Sequence, residues 1–110
     1  MAKLYRFSVC MPPEVLEEMM DSITESVEGP YRGYERAFSY APVTGTWMAK
    51  EGSNPYKGVI GRIHVADEVR LDFVVSEKDV GKAVAVIRRV HPYEEPAIDI
   101  IEMTDWHSLE

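Results

Sequence analysis

His91-Pro-Tyr-Glu-Glu-Pro96, running on as Ala97-Ile-Asp-Ile-Ile101, is the stretch around which the rest of this sequence can be read. Pro92 has no N–H and biases His91 away from the helical region, so a helix arriving at His91 must stop there. Pro96 then launches an extended segment. The hexapeptide is therefore a helix-to-strand corner, and it gathers one imidazole and two carboxylates into six positions.

On the N-terminal side of this corner, Val80, Ala83, Val84, Ile87 and Val90 recur at helical spacing, while Lys82, Arg88 and Arg89 fall toward solvent. Ser76 and Asp79 have the spacing of a capping box, with Asp standing in for the usual Glu. Further upstream, Ile63, Val65, Val69, Leu71, Phe73 and Val75 all occupy odd positions, against Arg62, His64, Glu68, Arg70 and Asp72 on even ones. This is the cleanest strand pattern in the chain. Asp67 interrupts its apolar side, which predicts a bulge or a change of partner where the strand passes beyond the core.

The first half repeats this logic. Lys3 to Met11 alternates as a strand and Pro12-Pro13 ends it. Leu16, Met19, Met20, Ile23 and Val27 then mark the buried face of a helix over 14–27. Glu28 to Gly33 is a turn by composition, and Tyr34 to Tyr40 reads as the second strand. Ala41 to Gly61, rich in Gly, Pro and Thr, reads as a long loop with a short hairpin around Thr46 to Met48. The order strand, helix, strand, strand, helix, strand predicts an α+β, ferredoxin-like βαββαβ fold: a four-stranded antiparallel sheet with both helices on one face. The other face, carrying some of Leu4, Cys10, Val74 and Tyr40, is an incentive to oligomerise.

Composition narrows the function classes. At 110 residues the expectation is a single domain spanning 1–110. A net charge of −7, with no basic cluster on one face, argues against a nucleic-acid ligand. No apolar run approaches the roughly 18 residues needed to span a membrane, and nothing reads as a secretion signal. A cytoplasmic protein without a membrane partner is expected. Cys10 is the only cysteine, so no intramolecular disulfide forms.

The corner is the first candidate site. His91, Glu94 and Glu95, joined by His64 from the third strand, offer nitrogen and oxygen ligands suited to a divalent cation such as zinc, copper or nickel. A nearby acid would move the His91 pKa upward. The alternative is that His91 caps the helix end and Tyr93 fills the core, with the glutamates solvated. The loop is the second candidate, with Gly45, Trp47, Asn54 and Tyr56 as ligand-binding residues. Its glycines would let backbone N–H groups approach an anion. The alternative there is a covering hairpin with Trp47 and Tyr56 as interface anchors. Cys10, Ser39 and Ser53 have no evident catalytic partners, so no catalytic residue is assigned.

Val9 to Pro13, Tyr34, Pro42, Thr44-Gly45-Thr46-Trp47, Gly52, Asn54-Pro55, Gly58, Gly61, Glu68-Val-Arg70 and the hexapeptide His91 to Pro96 together resemble the Nif-three-like (YqfO) family, over most of the chain. The matching region is that family's inserted domain, similar in fold to the CutA divalent-cation-tolerance and nitrogen-regulatory P-II proteins. The resemblance implies a trimeric assembly, and a long loop that reaches ligands and partners. Full-length members carry a dinuclear metal site, but its ligands lie in flanking domains outside this chain.

The combined expectation is a non-enzymatic, homo-oligomeric regulatory or sensor module, trimeric by preference, binding a small ligand or a divalent cation. Two other classes stand beside it. One is an interaction module for a separate metal-dependent hydrolase core; the other is an independent hydrolase whose turnover would fail on His91→Ala.

Overall fold

The computed structural model describes residues 3–110. Strand β1 (Leu4–Met11) runs through a 3-10 turn at Pro13–Val15 into helix α1 (Leu16–Ser26). Strands β2 (Ser39–Met48) and β3 (Ile63–Ser76) form a long hairpin. A second 3-10 turn, Glu77–Asp79, opens helix α2 (Val80–Val90), and strand β4 (Ala97–Met103) follows. The strands pair antiparallel in the order β2-β3-β1-β4. This is the ferredoxin-like βαββαβ arrangement that the sequence predicts.

Phe7, Val9 and Met11 of β1 lie opposite Phe73, Leu71 and Val69 of β3, so these odd positions share one face. Against that face pack Met19, Met20 and Ile23 of α1 and Ala83, Val86 and Ile87 of α2, making a single buried core. Val86 lies outside the helical stripe marked from the sequence, yet it is buried with Ile87. Phe7 stacks on Phe73 at 5.1 Å between ring centroids, and Phe38 meets Phe73 edge-on at 5.6 Å.

β2 corrects the sequence reading. The strand expected at 34–40 begins only at Ser39, and the expected loop from Ala41 is strand as far as Met48. β2 is an edge strand, where the missing N–H of Pro42 costs no ladder bond on its free side. Residues 34–38 form part of the connection instead, in which Arg36 takes a left-handed φ of 56°. Its guanidinium is held by Asp21 at 2.6 Å and Glu17 at 3.0 Å. Tyr40 lies opposite Leu71, which places it on the helix-side face and not with Leu4, Cys10 and Val74.

No bulge occurs at Asp67, because the β2–β3 register is unbroken from Ser39 opposite Asp72 to Met48 opposite Ile63. The change of partner does occur: β3 pairs with β1 only from Val69 onward. The far half of the hairpin therefore projects as an arm, and the molecule extends 51 Å along its longest axis against 26 and 24 Å across. The Ser76–Asp79 capping box is not made either, as neither residue caps with its side chain. Ser76 still belongs to the ladder opposite Leu4, and the Glu77 N–H donates to Lys3 O at 2.9 Å.

Candidate functional site at the loop and corner

α2 ends where Pro92 requires it to, with His91 extended at φ −70° and ψ 128° and its N–H on Ile87 O at 2.8 Å. The His91 side chain is buried. Its Nε2 lies 2.7 Å from Cys10 O, while its Nδ1 accepts the Tyr93 N–H at 3.2 Å. One neutral tautomer, protonated on Nε2, satisfies both contacts. Burial pushes the His91 pKa below its ordinary value, outweighing the bond to Cys10 and the charge of Glu68, which act the other way. The upward shift expected if Glu94 or Glu95 lay close does not arise, and burial sets a downward one. The Glu94 carboxylate has gone elsewhere.

Tyr93 is the hub of the corner. Its ring lies 4.9 Å from His91, 5.5 Å from Trp47 and 5.8 Å from Tyr56, between centroids. Its hydroxyl donates to Glu68 Oε2 at 2.6 Å. Burial, together with this bond to an anionic partner, raises the Tyr93 pKa strongly, so the phenol keeps its proton. Glu68 itself is only 6% exposed. It fits because Gly45 faces it: a Cβ at Gly45 would fall 2.9 Å from Glu68 Cδ and closer still to Oε1. The role of Gly45 is therefore to make room for a carboxylate.

The loop between β2 and β3 folds onto the corner. Its base closes through the Gly61 N–H on Ala49 O at 2.9 Å. The Asn54 N–H donates to Glu94 Oε2 at 2.9 Å, and Lys57 reaches Glu14 at 3.4 Å. Gly58, at φ +98°, turns the loop back against the side chain of His64. His64 in turn packs on Trp47 at 4.7 Å between centroids. Between loop and corner lies a cleft of about 250 Å³ lined by Trp47, Ser53, Tyr56, Lys57, Glu94 and Glu95 among others.

The structure thus brings Trp47, Tyr56 and Asn54 to the corner, and places Gly45 and His64 behind them. It does not gather the four proposed metal ligands. Among the described residues, no three of His, Cys, Asp and Glu stand close enough to hold a metal ion. His91 could ligate only by releasing Cys10 or Tyr93. Sequence reasoning missed Glu68 as the buried partner of Tyr93. The available signal was a carboxylate facing Gly45, legible only once β2 is extended.

The fold recurs in solved structures of two kinds. CutA1 from Ehrlichia chaffeensis superposes with a TM-score of 0.69 at 17% identity, over 96% of this chain and 85% of that one. B. subtilis GlnK superposes with a TM-score of 0.63 at 17% identity, over 93% and 86%. These define the class as a P-II/CutA-like ferredoxin fold. A Bacillus cereus protein related to NIF3 superposes with a TM-score of 0.82 at 23% identity, over 96% of this chain and 27% of that one. In sequence, the chain is 28% identical over 102 residues to the GTP cyclohydrolase 1 type 2 homolog of Halalkalibacterium halodurans. That match covers 93% of this chain and 27% of the relative, so the chain spans about a quarter of its curated relatives' length. No family model matches the chain. In sequence and in fold the chain is thus similar to part of the Nif-three-like proteins. Among the described residues no helix is long and apolar enough to cross a membrane.

Proposed function

We propose that this chain is a non-enzymatic, homo-oligomeric regulatory module that binds a small ligand or a divalent cation at the cleft between the β2–β3 loop and the corner after α2. The observation that carries this reading is the junction of the two segments: Asn54 bonded to Glu94, with Trp47 and Tyr56 on Tyr93. A ligand entering there touches loop and corner together and shifts their relative stability, which is what a sensor requires. If the ligand is a cation, the carboxylates of Glu94 and Glu95 at the cleft wall are its donors, while His91 holds the corner in shape.

A homotrimer is the preferred assembly. The helix-side face of the arm, past the end of the helices, leaves Met48, Ile63 and Val65 bare, with Ile63 76% exposed. Two strands alone do not make a stable unit, and an apolar face on such an arm favours a second surface. The alternative is a partner protein, favoured by the occurrence of a similar stretch as about a quarter, 27%, of the length of a curated relative.

Native mass spectrometry of gently purified, untagged protein tests the reading. The expected result is a three-chain species whose bound mass is lost in a Glu94→Ala, Glu95→Ala variant. A strictly monomeric protein without response to cations or small ligands overturns it, and a stoichiometric complex with another protein selects the alternative.

A further inference from the structure

Three aromatic side chains line the corner cleft: Trp47, Tyr56 and Tyr93. The Tyr93 ring stands 5.5 Å from Trp47 and 5.8 Å from Tyr56 between centroids, at interplanar angles of 53° and 44°, so the rings form angled walls and not a stack. The Tyr93 hydroxyl is bonded to the buried Glu68, and what Tyr93 presents to the cleft is therefore its ring. Ring faces carry the negative end of the aromatic quadrupole and attract cations. Glu94 and Glu95 line the same cleft, and Glu14 stands 3.4 Å from Lys57 Nζ, so three carboxylates surround the two ammonium groups of Lys50 and Lys57 there. Lys57 Nζ also lies 5.8 Å from the centre of the Tyr56 ring, at the edge of the ~6 Å reach of a cation–π contact. An ammonium beside this aromatic wall is thus already part of the structure. Among the described residues no three metal-ligating side chains converge, so a bare divalent ion would keep much of its water here. The volume of about 250 Å³ lies below the ~300 Å³ at which drug-sized sites begin, and suits a small head group.

We infer that this cleft binds a quaternary ammonium group, its methyl groups against Trp47, Tyr56 and Tyr93 and its charge facing Glu94 and Glu95. The inference rests on the reading of the cleft as the ligand site and names the chemistry that the site takes. Charge spread over methyl groups is weakly hydrated, so such a cation uses rings and carboxylates together. A primary amine holds its water more tightly, and a neutral molecule of the same shape fills the space without meeting the charge.

Isothermal titration with three probes separates these cases: choline, ethanolamine, which lacks the methyl groups, and neohexyl alcohol, the neutral carbon isostere. Choline is expected to bind tightest, with each of the others at least about fivefold weaker. Tyr56→Leu, at a half-exposed ring, weakens choline by roughly five- to thirtyfold, the value of a partly desolvated cation–π contact. Glu94→Gln with Glu95→Gln weakens choline and leaves neohexyl alcohol unchanged, a split that a loss of structure would not produce. Trp106→Leu, at the tryptophan outside the cleft, leaves all three titrations unchanged. Phosphatidylcholine vesicles tell the two sources of the group apart: choline binding without sedimentation assigns a free compound, and sedimentation that choline competes away assigns a lipid head group. Absence of choline binding at millimolar concentration, ethanolamine or neohexyl alcohol binding as tightly as choline, or an unchanged Tyr56→Leu titration would each overturn the inference. A trimer that binds a metal or another ligand at Glu94 and Glu95 but no choline overturns this inference alone, whereas a monomer without any ligand response removes the reading of the cleft beneath it.

Discussion

The two halves of β3 carry the same alternation and meet opposite surroundings. From Val69 to Ser76 the strand is flanked by β1 and β2, and its odd residues Leu71, Phe73 and Val75 are buried beneath the helices. From Ile63 to Glu68 only β2 accompanies it, the odd residues Ile63 and Val65 are bare, and the even ones, His64 and Glu68, are covered by loop and corner. The apolar stripe continues through both halves. What changes is the layer that lies on it, so period-2 patterning shows which residues share a face but not which face is buried.

The sharpest way to break this contrast is to truncate one residue in each half. Leu71→Ala should cost ~2–5 kcal/mol in urea denaturation, the usual range for a leucine removed from a closed core. A cost under ~1 kcal/mol there would mean that the body is not the closed core described. Next in size, Tyr93→Phe leaves the buried Glu68 without its donor and should cost ~1–3 kcal/mol although only one oxygen is lost. If stability is unchanged, the arm's covered face is open to water.

The pH dependence sharpens the comparison further. His91 in the unfolded chain titrates at its ordinary value of 6.5, and in the folded chain below it. Between the two values the unfolded state binds more protons, so stability rises with pH. The His91 contribution is full above 6.5 and is lost as pH falls through 6.5 toward the folded value. Urea midpoints measured at a series of pH values should show this slope, and His91→Asn should flatten it. The smallest effect belongs to Val65→Ala, expected within ~0.5 kcal/mol for the isolated chain. A larger loss that grows on dilution would place Val65 in an interface between copies.

Much of the architecture was legible in the residues. Pro12-Pro13 ends β1, Pro92 ends α2, and the helical stripes of Met19 to Ile23 and Ala83 to Ile87 face one core. β2 was not, because Pro42, Thr44 and Gly45 carry loop chemistry that an edge strand tolerates and a central strand would not. The site was half legible. Trp47, Asn54 and Tyr56 do meet the corner, but the expected ligand role of His91 takes no account of the fact that a buried imidazole can spend both nitrogens on backbone.

By itself, the sequence determined the order of elements, the faces of the helices and the corner at His91 to Pro96. These follow from local constraints: the fixed ring of proline, the 3.6- and 2-residue periods, and the loss of a backbone donor. Only the tertiary structure decided that Tyr93 would reach Glu68 across 25 positions, that Gly45 would make room for that carboxylate, and that Asp79 would be buried with an oxygen unpaired. Each of these depends on which strand lies beside which and on what covers them, and burial, unlike periodicity, belongs to the neighbours of a residue as much as to the residue.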